Sequence, residues 1–303
     1  MKNSTLAVLI RRNITCFFRE KGLFLTSLIT PVILLVLYTT FLANIYHDSF
    51  VSFLPEGVNV AEELIDGVVA GQLISSLLAV SCVTVAFSSN MLSVQDKADG
   101  QRDDFAITPV KSSTMALAYY IGSFVSTLIV IVFAFVAGMA FIAVKGWYLT
   151  AGDLILSLCD VLLLTMFGTA LSTVINFFLS SRGQISAVGS IVSSGYGFIC
   201  GAYMPISNFS AGLQHVISFL PGTYGTGLLR NHLMSSPISA LSSAAGFPAE
   251  ASKSFLDLAD CNLYFFGDPV SVPAMYAILG GSVAALIAAC VVLYRVKGKS
   301  AAK

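Results

Sequence analysis

Long apolar runs separated by short clusters of charge dominate this chain. They predict membrane-crossing helices at about 23–45, 67–91, 117–144, 154–179, 185–205 and 273–294, since a span needs roughly 20 residues. The runs are continuous rather than alternating, which argues for helices over barrel strands. Residues 183–229 contain no Asp, Glu, Lys or Arg. That stretch is too long for one span and too broken for two. Apolar Ile185–Tyr203 gives way to Met204-Pro205, a polar patch at Ser207–Ser210, and a second apolar piece ending in Leu220-Pro221-Gly222-Thr223-Tyr224. The pattern predicts one span followed by a re-entrant or interfacial piece over 206–229, within an outer region reaching 268. The expected fold is an all-α polytopic membrane protein with six transmembrane helices in a single domain over 1–303.

Ahead of the first span, residues 4–21 place Leu6, Leu9, Ile10, Ile14, Phe17 and Phe18 on one helical side and Arg11, Arg12, Thr15 and Arg19 on the other. A basic amphipathic helix beside a span is expected to lie in the headgroup plane. Its alternative is a bare topology signal. The sizeable loop over 96–110 predicts a short helix ended by Pro109, and Ser112 or Ser113 is a candidate cap for the third span. Trp147 and Tyr148 at one edge, and Tyr119, Tyr120 and Tyr294 at the other, read as an interfacial aromatic belt. Two GxxxG patterns, at Gly67/Gly71 and Gly197/Gly201, permit close helix packing within one chain or between two.

Composition supports the membrane class: 56% of residues are hydrophobic and 11% charged, against about 25% charged in soluble chains. Net charge is zero, so the whole-chain balance points to no nucleic acid or other charged partner. The distribution of basic residues is more telling. All Lys and Arg except Lys145, Arg230 and Lys253 fall on one predicted side, while the 46–66 loop carries only acids. Both termini are therefore expected in the cytoplasm, which requires an even number of spans. The first apolar run exceeds a usual signal-peptide core and is expected to remain as an anchor.

The chemistry-bearing residues point away from an enzyme. Six Cys are scattered without a CxxC pair, so no metal site is expected. Cys261 is either bridged to Cys200 or free. His47, His215 and His232 fall outside the predicted spans, and no GxSxG or HExxH occurs. Gly298-Lys299-Ser300 lacks the earlier glycine and preceding strand of a phosphate loop. Asp160 is the acidic residue well inside a span. It is either a functional pathway residue or a buried carboxylate bonded to neighbouring Ser or Thr.

Two segments resemble the permease subunits of ABC-2-type ABC exporters. Gly100 to Val110, with Asp103 and Thr108-Pro109-Val110, is similar to the family's Gly-Thr-Leu-Glu…Thr-Pro-Val loop. Gly201 to Arg230, with Pro205, Leu220, Pro221, Thr223, Tyr224 and Arg230, is similar to its Pro…Leu-x-Pro-x-Thr-Tyr…Leu-Arg segment. Gln101-Arg102 departs from the usual Thr-Leu, and Asp104 is an additional acid. The resemblance implies a non-catalytic transport permease, multi-pass in a bacterial plasma membrane, paired with a second permease subunit as a homodimer or with a sister chain. Two copies of a separate ABC ATPase would hold ATP and Mg, with no cofactor in this chain. It further implies a coupling role for Asp99, Gly100, Arg102, Asp103, Asp104, Phe105, Thr108 and Pro109, with Arg11, Arg12 and Arg19 holding the interfacial helix nearby. Pro205, Leu220, Pro221, Thr223, Tyr224 and Arg230 would form an outer gate. The implied cargo is an amphipathic small molecule, lipid or peptide. Lipid-linked glycan export, a non-transporting immunity or sensor role, and a self-contained carrier are the alternatives.

Overall fold

The computed structural model describes residues 2–300 apart from 56, 57, 59, 102–107 and 109; the side chains of 2–4 and 295–300 are also outside the description. The chain is an all-α membrane protein. Helix α1 (Lys2–Arg19) leads into α2 (Lys21–Leu37), which continues through a π-helical turn at Tyr38–Leu42 into α3 (Ala43–Phe53). Then follow α4 (Glu62–Ala98), α5 (Ser112–Lys145), α6 (Ala151–Phe178) and α7 (Arg182–Ile199). A 3-10 turn at Ile206–Asn208 precedes α8 (Ala211–Ser218), α9 (Pro221–Ala245) and α10 (Ala249–Leu258). A β-hairpin (β1 Leu263–Phe265, β2 Asp268–Val270) leads into α11 (Val272–Ser300).

Among the described residues, five helical stretches are long and apolar enough to cross a membrane: Lys21–Phe53, Glu62–Ala98, Ser112–Lys145, Ala151–Phe178 and Val272–Tyr294. They coincide with five of the predicted spans, and the first three extend beyond them at both ends. The first helix runs to Phe53 because Tyr46 and Phe50 are buried, and Phe50 packs on Phe255 of α10 at 5.1 Å between ring centroids. The predicted span at 185–205 differs. Its helix ends at Ile199, where Gly201 turns the backbone at φ 73°, and it is not among the five.

Local chemistry explains several helix starts. Thr150 and Asp153 form a reciprocal capping box on α6, and Ser181 with Gln184 does the same on α7. Pro221 opens α9 at a position where its missing N–H costs nothing. On α5 the expected Ser cap is not formed. Lys111 occupies the cap position, and among the described residues no side chain satisfies the first amides.

Helix α4 is the hub. The whole of its apolar window is buried, walled by α2, α5, α6, α7 and α9. Both GxxxG patterns pack within the chain. A Cβ at Gly71 would lie 2.7 Å from the Leu233 carbonyl oxygen of α9, and one at Gly197 would collide with the Tyr203 ring. Close backbone approach is the reason for glycine at position 71, and a tyrosine ring lying on the helix is the reason at position 197.

The aromatic-belt expectation holds only in part. Trp147 is exposed, but Tyr119 is buried with its hydroxyl committed to Asp96. Tyr294 packs edge-on against Phe177.

Candidate functional site

Three polar clusters tie the helices together, and each sits where the sequence pointed to function. The first lies at the end of the bundle that carries α1. Arg12 donates through both terminal nitrogens to Asp96 of α4, with Nη2 3.1 Å from Oδ1, and reaches Gln101 Oε1 at 2.8 Å. Tyr119 of α5 donates to the same carboxylate at 2.6 Å. Two oxygens thus take up donors from two other helices, which is how a nearly buried carboxylate is stabilised. Arg12 does not simply face a headgroup plane; it clamps α1 to α4. Nearby, Asp99 accepts from Arg182 Nη2 at 2.7 Å, and Lys97 donates to the Leu179 carbonyl. Gly100 follows at φ 77°, and Thr108 is exposed.

Arg11, Arg12, Arg19, Glu20, Gln95 and Asp99 line an open cleft of about 700 Å³ between α1 and α4. The predicted coupling residues Arg102, Asp103, Asp104, Phe105 and Pro109 lie outside the described residues.

The second cluster surrounds Arg230. This residue, counted by sequence among the basic residues of the outer side, is wholly buried. Its Nη1 donates to Asp260 at 3.1 Å, and its Nη2 to the Gly201 carbonyl at 2.6 Å and to Ser76 of α4 at 3.3 Å. Turning the Gln72 amide gives Nη2 a further acceptor at 3.3 Å, while Gln72 donates to the Ala259 carbonyl. Asp260 also accepts from the Ile206 amide at 2.7 Å. Burial pushes the Asp260 carboxyl above its ordinary range, opposed by Arg230 and the backbone donors. Asp260 itself sits at φ 51°, a backbone position unusual for a side-chain-bearing residue. The cluster closes the α7–α8 connection against α4, α9 and the segment before the hairpin.

The other expected gate residues shape one helical hairpin. Pro205 begins the 3-10 turn and Leu220 precedes α9. Thr223 donates to the Ile199 and Ile217 carbonyls, and Tyr224 to the Ser218 carbonyl at 2.6 Å. These bonds fold α8 back against the first turn of α9. Arg230 meets Gly201, whereas Pro221 lies nine residues earlier. At 1.5 Å per residue the start of α9 is displaced by about 13 Å along its own axis from that turn. Beneath it, an apolar cavity of about 440 Å³ is lined by Phe167, Leu171, Tyr196, Ile199, Pro221 and Leu286.

The third cluster centres on Asp160. Among the described residues, the carboxylate is bonded neither to Ser nor to Thr. His232 Nδ1 lies 2.5 Å from Oδ2, and the Tyr276 hydroxyl donates to Oδ1 at 2.5 Å. One residue on α6 therefore joins α9 and α11. A helical turn or two away, Ser236 of α9 donates to Asp153 at 2.6 Å. These partners were not evident from sequence, because His232 falls beyond the predicted spans and Tyr276 reads as an ordinary apolar-helix residue.

Cys200 and Cys261, the expected alternatives for a bridge, are both buried free thiols. Among the described residues, no group of three or more His, Cys, Asp or Glu could hold a metal ion.

The sequence model of the ABC-2 type transporter family matches residues 4–234, well over half of the chain. This protein belongs to the ABC-2 type transporter family. Comparison with curated proteins finds no match. The matched region includes α1, the Arg12–Asp96 clamp, the Asp160–His232 contact and the α8–α9 hairpin. It stops short of α10, the β-hairpin and α11, so Asp260 and Tyr276 lie in the region beyond the match. The ABC-2 chain is thus a multi-pass transport permease domain, not itself catalytic.

Proposed function

We propose that this ABC-2 chain is the membrane subunit of an ATP-driven exporter, working as a pair of permeases energised by two separate ATPase subunits. The family match supports the transporter class. The observation that carries the coupling role is the Arg12–Asp96 clamp, which fastens α1 to α4 directly before the predicted coupling loop. A push on that loop would be delivered to a helix already bolted to the hub of the bundle. In this reading the basic cleft between α1 and α4 borders the ATPase contact, and the termini lie on the cytoplasmic side. Helix α7 completes a sixth crossing, and α8 with the start of α9 dips back into the outer leaflet as a cap over the pathway. The Arg230 cluster would hold that cap's entry turn. ATP can drive such a machine only by binding one of its states better than another.

The test is reconstitution of the permease with the ATPase that co-purifies with it. Asp103→Ala and Pro109→Ala are expected to leave assembly intact but to lower transport-coupled ATP hydrolysis in proteoliposomes. Unchanged stimulation counts against coupling through this loop. Transport by the chain without any ATPase would favour a self-contained carrier instead. The cargo class expected is amphipathic, because the hairpin roofs an apolar cavity.

A further inference from the structure

A groove of about 770 Å³ opens between α5, α6 and α11, at the same end of the bundle as the Arg12–Asp96 clamp. It is separate from the α1–α4 cleft and from the α8–α9 hairpin. Leu117, Ile287 and Val291 make its walls apolar, and Tyr120 and Thr173 also line it. The Tyr120 hydroxyl is buried without a partner among the described residues. The mouth is different. Lys111 is exposed there and has no acidic partner among the described residues. Ser112 and Ser113 stand beside it, on the first turn of a helix that no side chain among the described residues caps. The first intrahelical bonds to Lys111 come from Thr114 and Met115, which leaves the amides of Ser112 and Ser113 without an acceptor among the described residues.

We propose that this groove binds an anionic phospholipid. Its headgroup phosphate would rest on Lys111, the two serine hydroxyls and the open amides, with one acyl chain lying along Leu117 and Val291. Charge complementarity at the mouth selects the headgroup, and the apolar walls select a chain over a free phosphate. Embedded in a bilayer, the groove faces a solvent that supplies both parts at high concentration. A second copy of the chain would satisfy the walls but leave the cationic mouth unexplained.

The experiment uses the full-length protein in detergent. Dioleoyl phosphatidylglycerol, dioleoyl phosphatidylcholine and glycerol 3-phosphate are titrated separately, with bound lipid read by native mass spectrometry and oligomeric state by light scattering. Phosphatidylglycerol is expected to bind in preference to phosphatidylcholine, and glycerol 3-phosphate not to compete. Lys111→Ala should weaken phosphatidylglycerol about fivefold, as loss of one basic contact implies, and Lys111→Glu more. Leu117→Trp should reduce binding of both lipids. Because Lys111 is a surface residue, its variants read binding without disturbing the core. Equal binding of the two lipids, an unchanged Lys111→Glu variant, or competition by glycerol 3-phosphate would each overturn the proposal. So would a change of oligomeric state in Leu117→Trp with lipid binding intact. No ATPase or transport is needed for any of these readouts, so the lipid site stands or falls separately from the exporter reading.

Discussion

Arg230 and Asp260 form an ion pair at 3.1 Å in which both partners are buried. Taking two charges out of water is costly, and attraction repays it only when the remaining donors and acceptors are also satisfied. Here they are, through the Gly201 carbonyl, Ser76 and the Ile206 amide. Removing one partner therefore strands a charge. Arg230→Met and Asp260→Leu are each expected to cost about 3–5 kcal/mol, seen as a large fall in thermal unfolding temperature of the purified protein. The double substitution should be less damaging than the sum of the two. Strict additivity would show that the pair is not energetically coupled.

The Arg12–Asp96–Tyr119 cluster makes a graded prediction. Tyr119→Phe removes one hydrogen bond and should cost about 1 kcal/mol. Arg12→Ala leaves a nearly buried carboxylate with a single side-chain donor from Tyr119 and should cost more. In the exporter reading, Arg12→Ala also loosens α1 from α4 and is expected to lower ATPase stimulation while the isolated ATPase is unaffected. Reversing the pair, Arg12→Asp with Asp96→Arg, should recover part of the stability in a thermal-shift assay. A double variant no better than the worse single one would argue against a direct pairing.

The long helices were legible because an apolar run of span length has few alternatives. The break before α9 is legible too, because Pro221 and Gly222 punctuate the apolar run where that helix begins. What stayed hidden was partnership. Asp160 was visible as an acid within a span, but nothing local indicates that His232, 72 residues away, supplies its bond. In sequence Arg230 reads as one of the few basic residues of the outer side. The structure instead buries it against an acid 30 residues further on. Arg12 likewise reads as part of a polar helix face and Asp96 as part of a loop, because a pairing across 84 residues has no sequence signature. Hydropathy reads each residue against solvent, and these charges are solvated by other parts of the chain.

Asp160 should behave as a junction of three helices. Tyr276→Phe is expected to cost about 1–2 kcal/mol and His232→Ala somewhat more, since each removes a bond to a buried charged group. Asp160→Asn retains the shape and can accept from Tyr276, so it should be milder than Asp160→Ala. Thermal unfolding in detergent ranks them. A role in transport would appear as loss of cargo movement in a variant whose unfolding temperature is unchanged. If every loss of transport tracks stability, the cluster is a structural tie alone.

The hairpin formed by α8 and α9 yields a topological prediction. If α7 crosses and the hairpin dips and returns, Asn208 and Lys253 lie on the same, outer side, and Phe219 lies between them at the level of the membrane. Phe219 is 65% exposed on the isolated chain, so its access depends on lipid and on a neighbouring subunit rather than on its own fold. Single cysteines at these three positions, in a background with the six native cysteines replaced, should react differently with a membrane-impermeant maleimide applied to intact cells. Asn208→Cys and Lys253→Cys are expected to label from outside and Phe219→Cys to be shielded. Labelling of Asn208→Cys only after the membrane is opened would mean that α7 does not complete a crossing. Opposite sidedness of Asn208 and Lys253 would mean that the second apolar piece runs through the membrane.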